Sequence, residues 1–362
     1  MAPLKEKVGI AVDMCGCPNA CRHCWLGRAQ NKRLSVQDVR RVAEQFRGFF
    51  APGQAGSAVK GLVFSTCFRE PDFSDDYKQL YELEAELSDG RPARYELLSV
   101  WRLARDPEYA PWAGRVGPGK CQIKFFGLAE THDWFCRRKG AFRDSLTATE
   151  RLLEAGMKPR WQLFLTRKIL PELGGLLELA EKLKLRERVA ALGGEFEIFM
   201  QTPGPDGEAR KIEHLRPSVE DLDGIPEAIV EATRKYRKKD TLWRTERQWY
   251  QEILSGSDRV TCESFEYPEL WFFVTPDMDV FSNLSTLEPW WRLGNLESDP
   301  VESIVDAYLS NRALGLETIY TVPARALAGR YGDPDGRLVY DCREDLESLY
   351  VARHCQDTYA PA

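Results

Sequence analysis

Segments with the patterns of strands and helices alternate between residues 7 and 202 of this 362-residue chain. Alternation at this spacing is typical of parallel strands covered by the helices between them. Right-handed crossovers would curl such units into a partial barrel, where functional sites form at the carboxyl ends of the strands. We therefore predict an α/β fold with a partial (β/α)6 TIM-like barrel, with strands at 7–13, 62–64, 95–101, 121–126, 161–166 and 196–200 and helices at 35–50, 77–87, 142–155 and from 171 onward.

The pattern changes after residue 202, where a turn-rich segment interrupts the alternation. We predict a core barrel at 1–202, a helical linker or insert at 203–257 and a smaller α+β C-terminal domain at 258–362. The basic stretch at 234–247 is interpreted as a solvated helix face, because runs of charged residues usually lie on solvent-exposed faces.

Composition narrows the classes of function that the chain can serve. Its net charge of −6 argues against nucleic acid or an anionic membrane as a partner. The sequence has no signal-peptide core and no apolar run of transmembrane length, so we expect a cytoplasmic protein. Ten cysteines in such a chain indicate metal binding or catalysis rather than a disulfide framework.

Three cysteines follow the first predicted strand, at Cys17, Cys21 and Cys24. One short loop can direct three thiolates with this spacing at one point, and three ligands are one too few for a closed tetrahedral site. A [4Fe–4S] cluster held by three thiolates keeps one iron open to an outside ligand. The alternatives are a zinc site that also uses Cys15, and a set of reactive or disulfide-forming cysteines.

This loop resembles the Cys-x3-Cys-x2-Cys signature of the radical S-adenosyl-L-methionine (radical SAM) superfamily, in which the open iron binds SAM. His23 stands where that family usually has an aromatic residue. The resemblance implies that Phe68 and Glu70, in the turn after the second strand, contact SAM, and a carboxylate there can accept hydrogen bonds from its ammonium group. It also implies contacts from Lys124, at the fourth strand, and from Gln201, where the family often places the adenine.

The C-terminal part resembles the SPASM or twitch extension of many radical SAM enzymes, which binds auxiliary clusters through Cys-x(9–15)-Gly-x4-Cys. Cys262 can serve as the first cysteine, but Met278 and Asn283 replace the glycine and the second cysteine. We therefore expect a degenerate extension without an auxiliary cluster. A single cluster built from Cys262, Cys342 and Cys355 is the alternative.

The function implied by the resemblance is reductive cleavage of SAM to a 5′-deoxyadenosyl radical, which abstracts a hydrogen atom from a substrate. An electron donor such as flavodoxin or ferredoxin is implied as a partner. We expect a small-molecule substrate, resembling a natural product, sugar, nucleoside or amino acid, because the first strand begins at residue 7 and no peptide-recognition domain precedes it. A peptide-modifying radical SAM enzyme and a non-catalytic metal-binding regulator or scaffold are the alternatives, and the sequence assigns no catalytic residue.

Overall fold

The protein is described here by a computed structural model that covers residues 6–28, 31–50, 59–92, 94, 96–117, 119–205, 207–256, 258–260, 269–282 and 287–359. Its strands are β1 (Lys7–Val12), β2 (Gly61–Ser65), β3 (Lys120–Phe125), β4 (Lys158–Phe164), β5 (Ile198–Gln201), β6 (Arg244–Thr245), β7 (Glu269–Val274), β8 (Asp279–Ser282), β9 (Arg292–Asn295) and β10 (Val339–Tyr340). Its α-helices are α1 (Val36–Phe50), α2 (Tyr77–Leu87), α3 (Val100–Arg105), α4 (Tyr109–Val116), α5 (Ala129–Cys136), α6 (Ala141–Glu154), α7 (Leu173–Lys182), α8 (Leu185–Ala191), α9 (Glu227–Arg237), α10 (Glu246–Ser255), α11 (Val301–Leu309), α12 (Leu314–Thr321), α13 (Ala324–Tyr331) and α14 (Arg343–Thr358).

The larger sheet has the order β2-β1-β7-β8-β9. Its strand β1 runs parallel to both β2 and β7, whereas β8 runs antiparallel to both of its neighbours, β7 and β9. Every residue of β1 after Lys7 is buried, as expected for a strand covered on both faces. The hairpin of β7 and β8 comes from the predicted C-terminal domain, so this sheet crosses the boundary at residue 258, and the division into domains stays a prediction.

The second sheet has the order β3-β4-β5, and all its strands are parallel. On β3, Cys121, Ile123 and Phe125 are buried, while Gln122 and Lys124 project from the opposite face. The α/β class is therefore confirmed, since the two larger of the three sheets in the described residues contain parallel strands connected through helices. The closure of these strands into a barrel stays a prediction.

The strand predicted at 95–101 is wrong in the part that the structure describes. Residues 96–99 form no strand, and α3 begins at Val100. The reason is an N-cap, because the Ser99 hydroxyl accepts a hydrogen bond from Arg102 N at 3.1 Å. This segment still makes one backbone hydrogen bond to the sheet, because Gln122 N of β3 donates to the Glu96 carbonyl at 2.8 Å.

Helix α1 forms as its local signals predict. Ser35 and Asp38 make a reciprocal capping arrangement, with Asp38 N donating to Ser35 Oγ at 3.0 Å and Ser35 N donating to Asp38 Oδ2 at 3.3 Å. The predicted apolar stripe is the buried face, consisting of Val39, Val42, Ala43, Phe46 and Phe50. The predicted helix at 77–87 also matches α2.

Two large apolar clusters support the two sheets. One joins β1, β2, β7 and β8 to α1, α2 and the C-terminal helices, and the other surrounds β3, β4 and β5. The N-terminal strands and the C-terminal helices thus share one core, which fixes the carboxyl end of β1 from both sides. Within the described ranges, no helix combines the length and apolarity needed to cross a membrane.

Candidate functional site

The cysteine loop, residues 13–27, begins where β1 ends between its two neighbours. Asp13 N donates to the Val274 carbonyl at 3.1 Å, and Met14 N donates to the Thr66 carbonyl at 3.0 Å. The chain then turns at Gly16, whose φ of +68° lies in the left-handed region that favours glycine. Parallel pairing on both sides therefore delivers the three cysteines to the carboxyl edge of the sheet.

The thiols of Cys17, Cys21 and Cys24 are free and half-buried. Burial raises the pKa of Cys17, and the Glu70 carboxylate and the two other thiols raise it further. Burial likewise raises the pKa of Cys24. A hydrogen bond with Cys136 and burial raise the pKa of Cys21. A bound metal would oppose these shifts, because coordination to a cation stabilises the thiolate.

The fourth cysteine of this region, Cys15, has a different environment. It is only 8% exposed, and its Sγ donates to the Thr66 carbonyl at 3.7 Å. In the described part of the chain, no group of three or more His, Cys, Asp or Glu residues is arranged to hold a single metal ion. A cluster distributes its thiolates over separate irons. Cys15 therefore has a partner of its own in the backbone, and the cluster on Cys17, Cys21 and Cys24 stays a prediction.

An ion pair that the sequence analysis missed joins the two ends of the cysteine loop. Arg69 Nε donates to Asp13 Oδ2 at 2.8 Å, and both side chains are less than a tenth exposed. The same guanidinium donates to the carbonyls of Leu26 and Gly27 at 3.2 and 3.1 Å. Arg69 thus fixes the start of the loop relative to its end, and only the fold reveals this because the partners are distant in sequence.

The end of α5 braces the middle of the loop. Ala20 N donates to the Cys136 carbonyl at 3.2 Å, and Arg22 N donates to the Phe135 carbonyl at 2.9 Å. Arg138 Nε donates to Asn19 Oδ1 at 2.6 Å. These bonds satisfy backbone groups of an irregular loop that pairs with no strand.

The side chains of Glu70 and Lys124 are brought near the three thiols. Glu70 accepts a hydrogen bond from Ser99 Oγ at 3.0 Å, and the N–H groups of Val100 and Trp101 at the start of α3 also stabilise its charged form and lower its pKa. Burial raises the pKa of Glu70, while these bonds and the Lys124 ammonium oppose the rise. The charge of Lys124 also acts on Cys21 and Cys24. The Glu70 carboxylate thus acts on Cys17 and Cys21, and the Lys124 ammonium group acts on Cys21 and Cys24.

The remaining predicted cofactor residues have more ordinary surroundings. The ring of His23 lies 4.5 Å from that of Phe164 and 4.6 Å from that of Phe126, and burial holds its pKa well below the usual range. The ring of Phe68 packs edge-on against Phe273 of β7. Gln201 ends β5 and is half-buried. Contact of any of them with SAM stays a prediction.

Polar side chains project from β3 and β4 below Lys124. Gln122 Nε2 donates to Gln162 Oε1 at 2.5 Å, and Arg160 donates to Gln122 Oε1 at 2.9 Å. Arg160 also forms ion pairs with Glu96 and Glu197. This face of the sheet therefore offers hydrogen-bonding groups rather than an apolar wall.

The cysteines of the C-terminal part cannot form the alternative cluster. Cys342 caps α14 and Cys355 lies thirteen residues further along the same helix, so its rise separates them by about 20 Å. Cys355 is also fully buried beside Thr318. Cys262 and Asn283 lie outside the described residues. Met278 has a φ of +63°, a conformation that favours glycine, at the position where the extension motif has Gly.

Comparisons with known proteins found similarity at the level of solved structures. No family model and no curated protein matches the chain. The structure of anSMEcpe with bound AdoMet and the Cp18Cys peptide is 11% identical, with a TM-score of 0.49 and coverage of 97% of both chains. SuiB of Streptococcus suis bound to its precursor peptide SuiA is 11% identical, with a TM-score of 0.43 and coverage of 76% of this chain and 59% of that one.

Coproporphyrinogen III oxidase (HemN) of Escherichia coli, described as a radical SAM enzyme, is 13% identical, with a TM-score of 0.40 and coverage of 99% of this chain and 91% of that one. TM-scores below 0.5 at such identities do not carry an activity from those proteins to this chain. Its function is therefore inferred from its own residues.

Proposed function

We propose that this chain is a radical SAM enzyme whose [4Fe–4S] cluster is held by Cys17, Cys21 and Cys24. The observation that carries the proposal is the assembly of these three free thiols with Glu70 and Lys124 at the carboxyl edge of the sheets. The motif spacing and the three-dimensional setting support it independently, because they rest on different properties of the chain.

Different residues of the site bind different parts of SAM. Glu70 accepts hydrogen bonds from the SAM ammonium group, and Lys124 pairs with its carboxylate. Gln201, Phe68 and His23 form the surroundings of the adenosyl group. Cys17, Cys21 and Cys24 would hold the cluster, and one-electron reduction of SAM bound to it would supply methionine and a 5′-deoxyadenosyl radical able to abstract a hydrogen atom from the substrate.

A small polar molecule is the substrate that we propose. Gln122, Gln162 and Arg160 form a hydrogen-bonded polar network on the sheet face that also carries Lys124, and a polar lining favours a polar ligand. The chain positions the substrate and excludes water, while the cofactor supplies the difficult chemistry. Peptide modification is the alternative activity.

The test is anaerobic reconstitution with iron and sulfide, followed by incubation with SAM and dithionite. We expect about four irons per chain, as one [4Fe–4S] cluster requires. We also expect 5′-deoxyadenosine and methionine to form in equal amounts, as measured by mass spectrometry, and neither to form without reductant. A colourless protein, or one that binds zinc and leaves SAM intact, would support the metal-binding scaffold instead.

A further inference from the structure

The backbone on both sides of Cys21 is bonded to the end of α5. Ala20 N donates to the Cys136 carbonyl at 3.2 Å, and Arg22 N donates to the Phe135 carbonyl at 2.9 Å. Carbonyls in the last turn of a helix have no partner within the helix, so the cysteine loop supplies the donors that they lack. The middle cysteine of the loop is therefore held against the last residue of α5.

The Cys136 thiol is the group that the Cys21 side chain meets there. Both thiols are free, Cys136 is only 3% exposed, and a hydrogen bond joins the two sulfurs. The charge of Cys21 also acts on Cys17 and on Cys24. One sulfur atom is therefore within reach of the two other cysteines of the signature and of a fourth thiol from α5.

The surroundings of this pair of thiols are apolar. Cys136 belongs to a buried cluster that includes Phe126, Phe135 and Phe164, and Cys21 packs against that cluster. A hydrogen bond in such surroundings is electrostatically stronger than one in water. Hydrogen bonds to the ligand sulfurs and the exclusion of solvent are among the properties that set the reduction potential of an iron–sulfur cluster.

Resting on the proposed function, we propose that Cys136 is a positioning residue whose S–H group donates a hydrogen bond to the Cys21 thiolate and raises the reduction potential of the cluster. Once Cys21 has lost its proton to bind iron, Cys136 is the member of the pair that can donate. Reduction adds one negative charge to the cluster. A donor to one of its thiolates therefore stabilises the reduced state more than the oxidised state.

A second pair of thiols in the same region provides a matched control. A hydrogen bond also joins Cys67 to Cys15, and Cys67 packs against the core that contains Cys15. Cys15 is not one of the three proposed ligands of the cluster. Replacing Cys67 therefore removes the same kind of contact close to the loop without touching a ligand sulfur.

The experiment compares Cys136→Ala, Cys136→Ser and Cys67→Ala with the wild type after identical anaerobic reconstitution with iron and sulfide. The midpoint potential of the cluster is measured by a redox titration followed by electron paramagnetic resonance, without SAM, and the iron content is measured on the same samples. Alanine removes the donor, whereas serine replaces a weak S–H donor with an O–H donor. A side chain that only fills space would not shift the potential in one direction with alanine and restore it with serine.

We expect Cys136→Ala to keep about four irons per chain. At a fixed potential its ratio of reduced to oxidised cluster should fall about tenfold, which for one electron is a shift of about 59 mV to a lower potential. Cys136→Ser should keep its iron and have a potential equal to or above that of the wild type. Cys67→Ala should keep both its iron and the wild-type potential.

An unchanged potential in Cys136→Ala, or an equal shift in Cys67→Ala, would overturn the proposal for Cys136 and leave the proposed function intact. Loss of iron from both Cys136 variants would make Cys136 a ligand or a packing residue and would overturn the proposal as well. If only the alanine variant loses its iron, a potential of Cys136→Ser below that of the wild type overturns it. A wild-type protein that assembles no cluster would overturn the proposed function itself.

Discussion

The cysteine loop and α14 both carry cysteines, but the fold uses them in different ways. In the loop, Cys17, Cys21 and Cys24 are half-buried and close enough to influence one another's ionisation. In α14, a rigid helix separates Cys342 from Cys355, and the second is fully enclosed by the core. The comparison teaches that backbone context decides whether thiols can converge. A loop braced at both ends holds its cysteines close together, whereas a helix keeps its cysteines apart.

Replacing a loop cysteine should have the largest effect. We expect Cys21→Ala to lose most of the iron and all formation of 5′-deoxyadenosine, because two thiolates do not hold the cluster that three hold. Cys342→Ala should retain both. Iron content and product yield after identical reconstitution measure the difference. Equal iron loss in the two variants would contradict the claim that the loop cysteines hold the cluster and the α14 cysteines do not.

The buried ion pair of the loop should matter more than an exposed pair on α14. Arg69→Met leaves Asp13 buried without its partner, and breaking such a pair costs about 3–5 kcal/mol of unfolding free energy. Arg330→Met breaks the exposed pair with Asp357 of α14, which should cost about 1 kcal/mol or less. Urea denaturation of the metal-free variants tests both values. Similar costs would mean that Arg69 does not fix the loop.

The smallest effect should come from Glu70→Gln. Loss of a charge-assisted hydrogen bond costs about 1.5–3 kcal/mol, so affinity for SAM should fall roughly 10- to 150-fold while iron content is unchanged. Glu344→Gln, in the first turn of α14, serves as the matched control and should bind SAM normally. Equilibrium dialysis of the reconstituted proteins measures both affinities. If Glu70→Gln binds SAM with unaltered affinity, the Glu70 carboxylate serves only to cap α3 and does not bind SAM.

The sequence predicted the features that depend on neighbouring residues. The capping pair Ser35 and Asp38 and the apolar stripe of α1 are local signals, and the helix forms as they indicate. The strand predicted at 95–101 failed because one local signal, the Ser99 cap, outweighed the apolar pattern. The proximity of the loop cysteines followed from their spacing, whereas their binding of a cluster stays a prediction.

Features that depend on distant residues could not be read from the sequence. The pairing of β1 with β7 joins segments more than 250 residues apart, and periodicity carries no information about such partners. The contact of Arg69 with Asp13 and the bracing of the loop by α5 arise in the same way. The separation of Cys342 from Cys355 became evident only once α14 was seen to be continuous.

The most direct measurement of the central claim is Mössbauer spectroscopy of protein reconstituted with iron-57, before and after SAM is added. Three protein thiolates leave one iron of the four without a protein ligand. We therefore predict that the parameters of about one quarter of the iron change when SAM binds, while the remaining signal stays constant. A spectrum in which every iron is unaffected by SAM, or a sample that retains no cluster, would contradict the account.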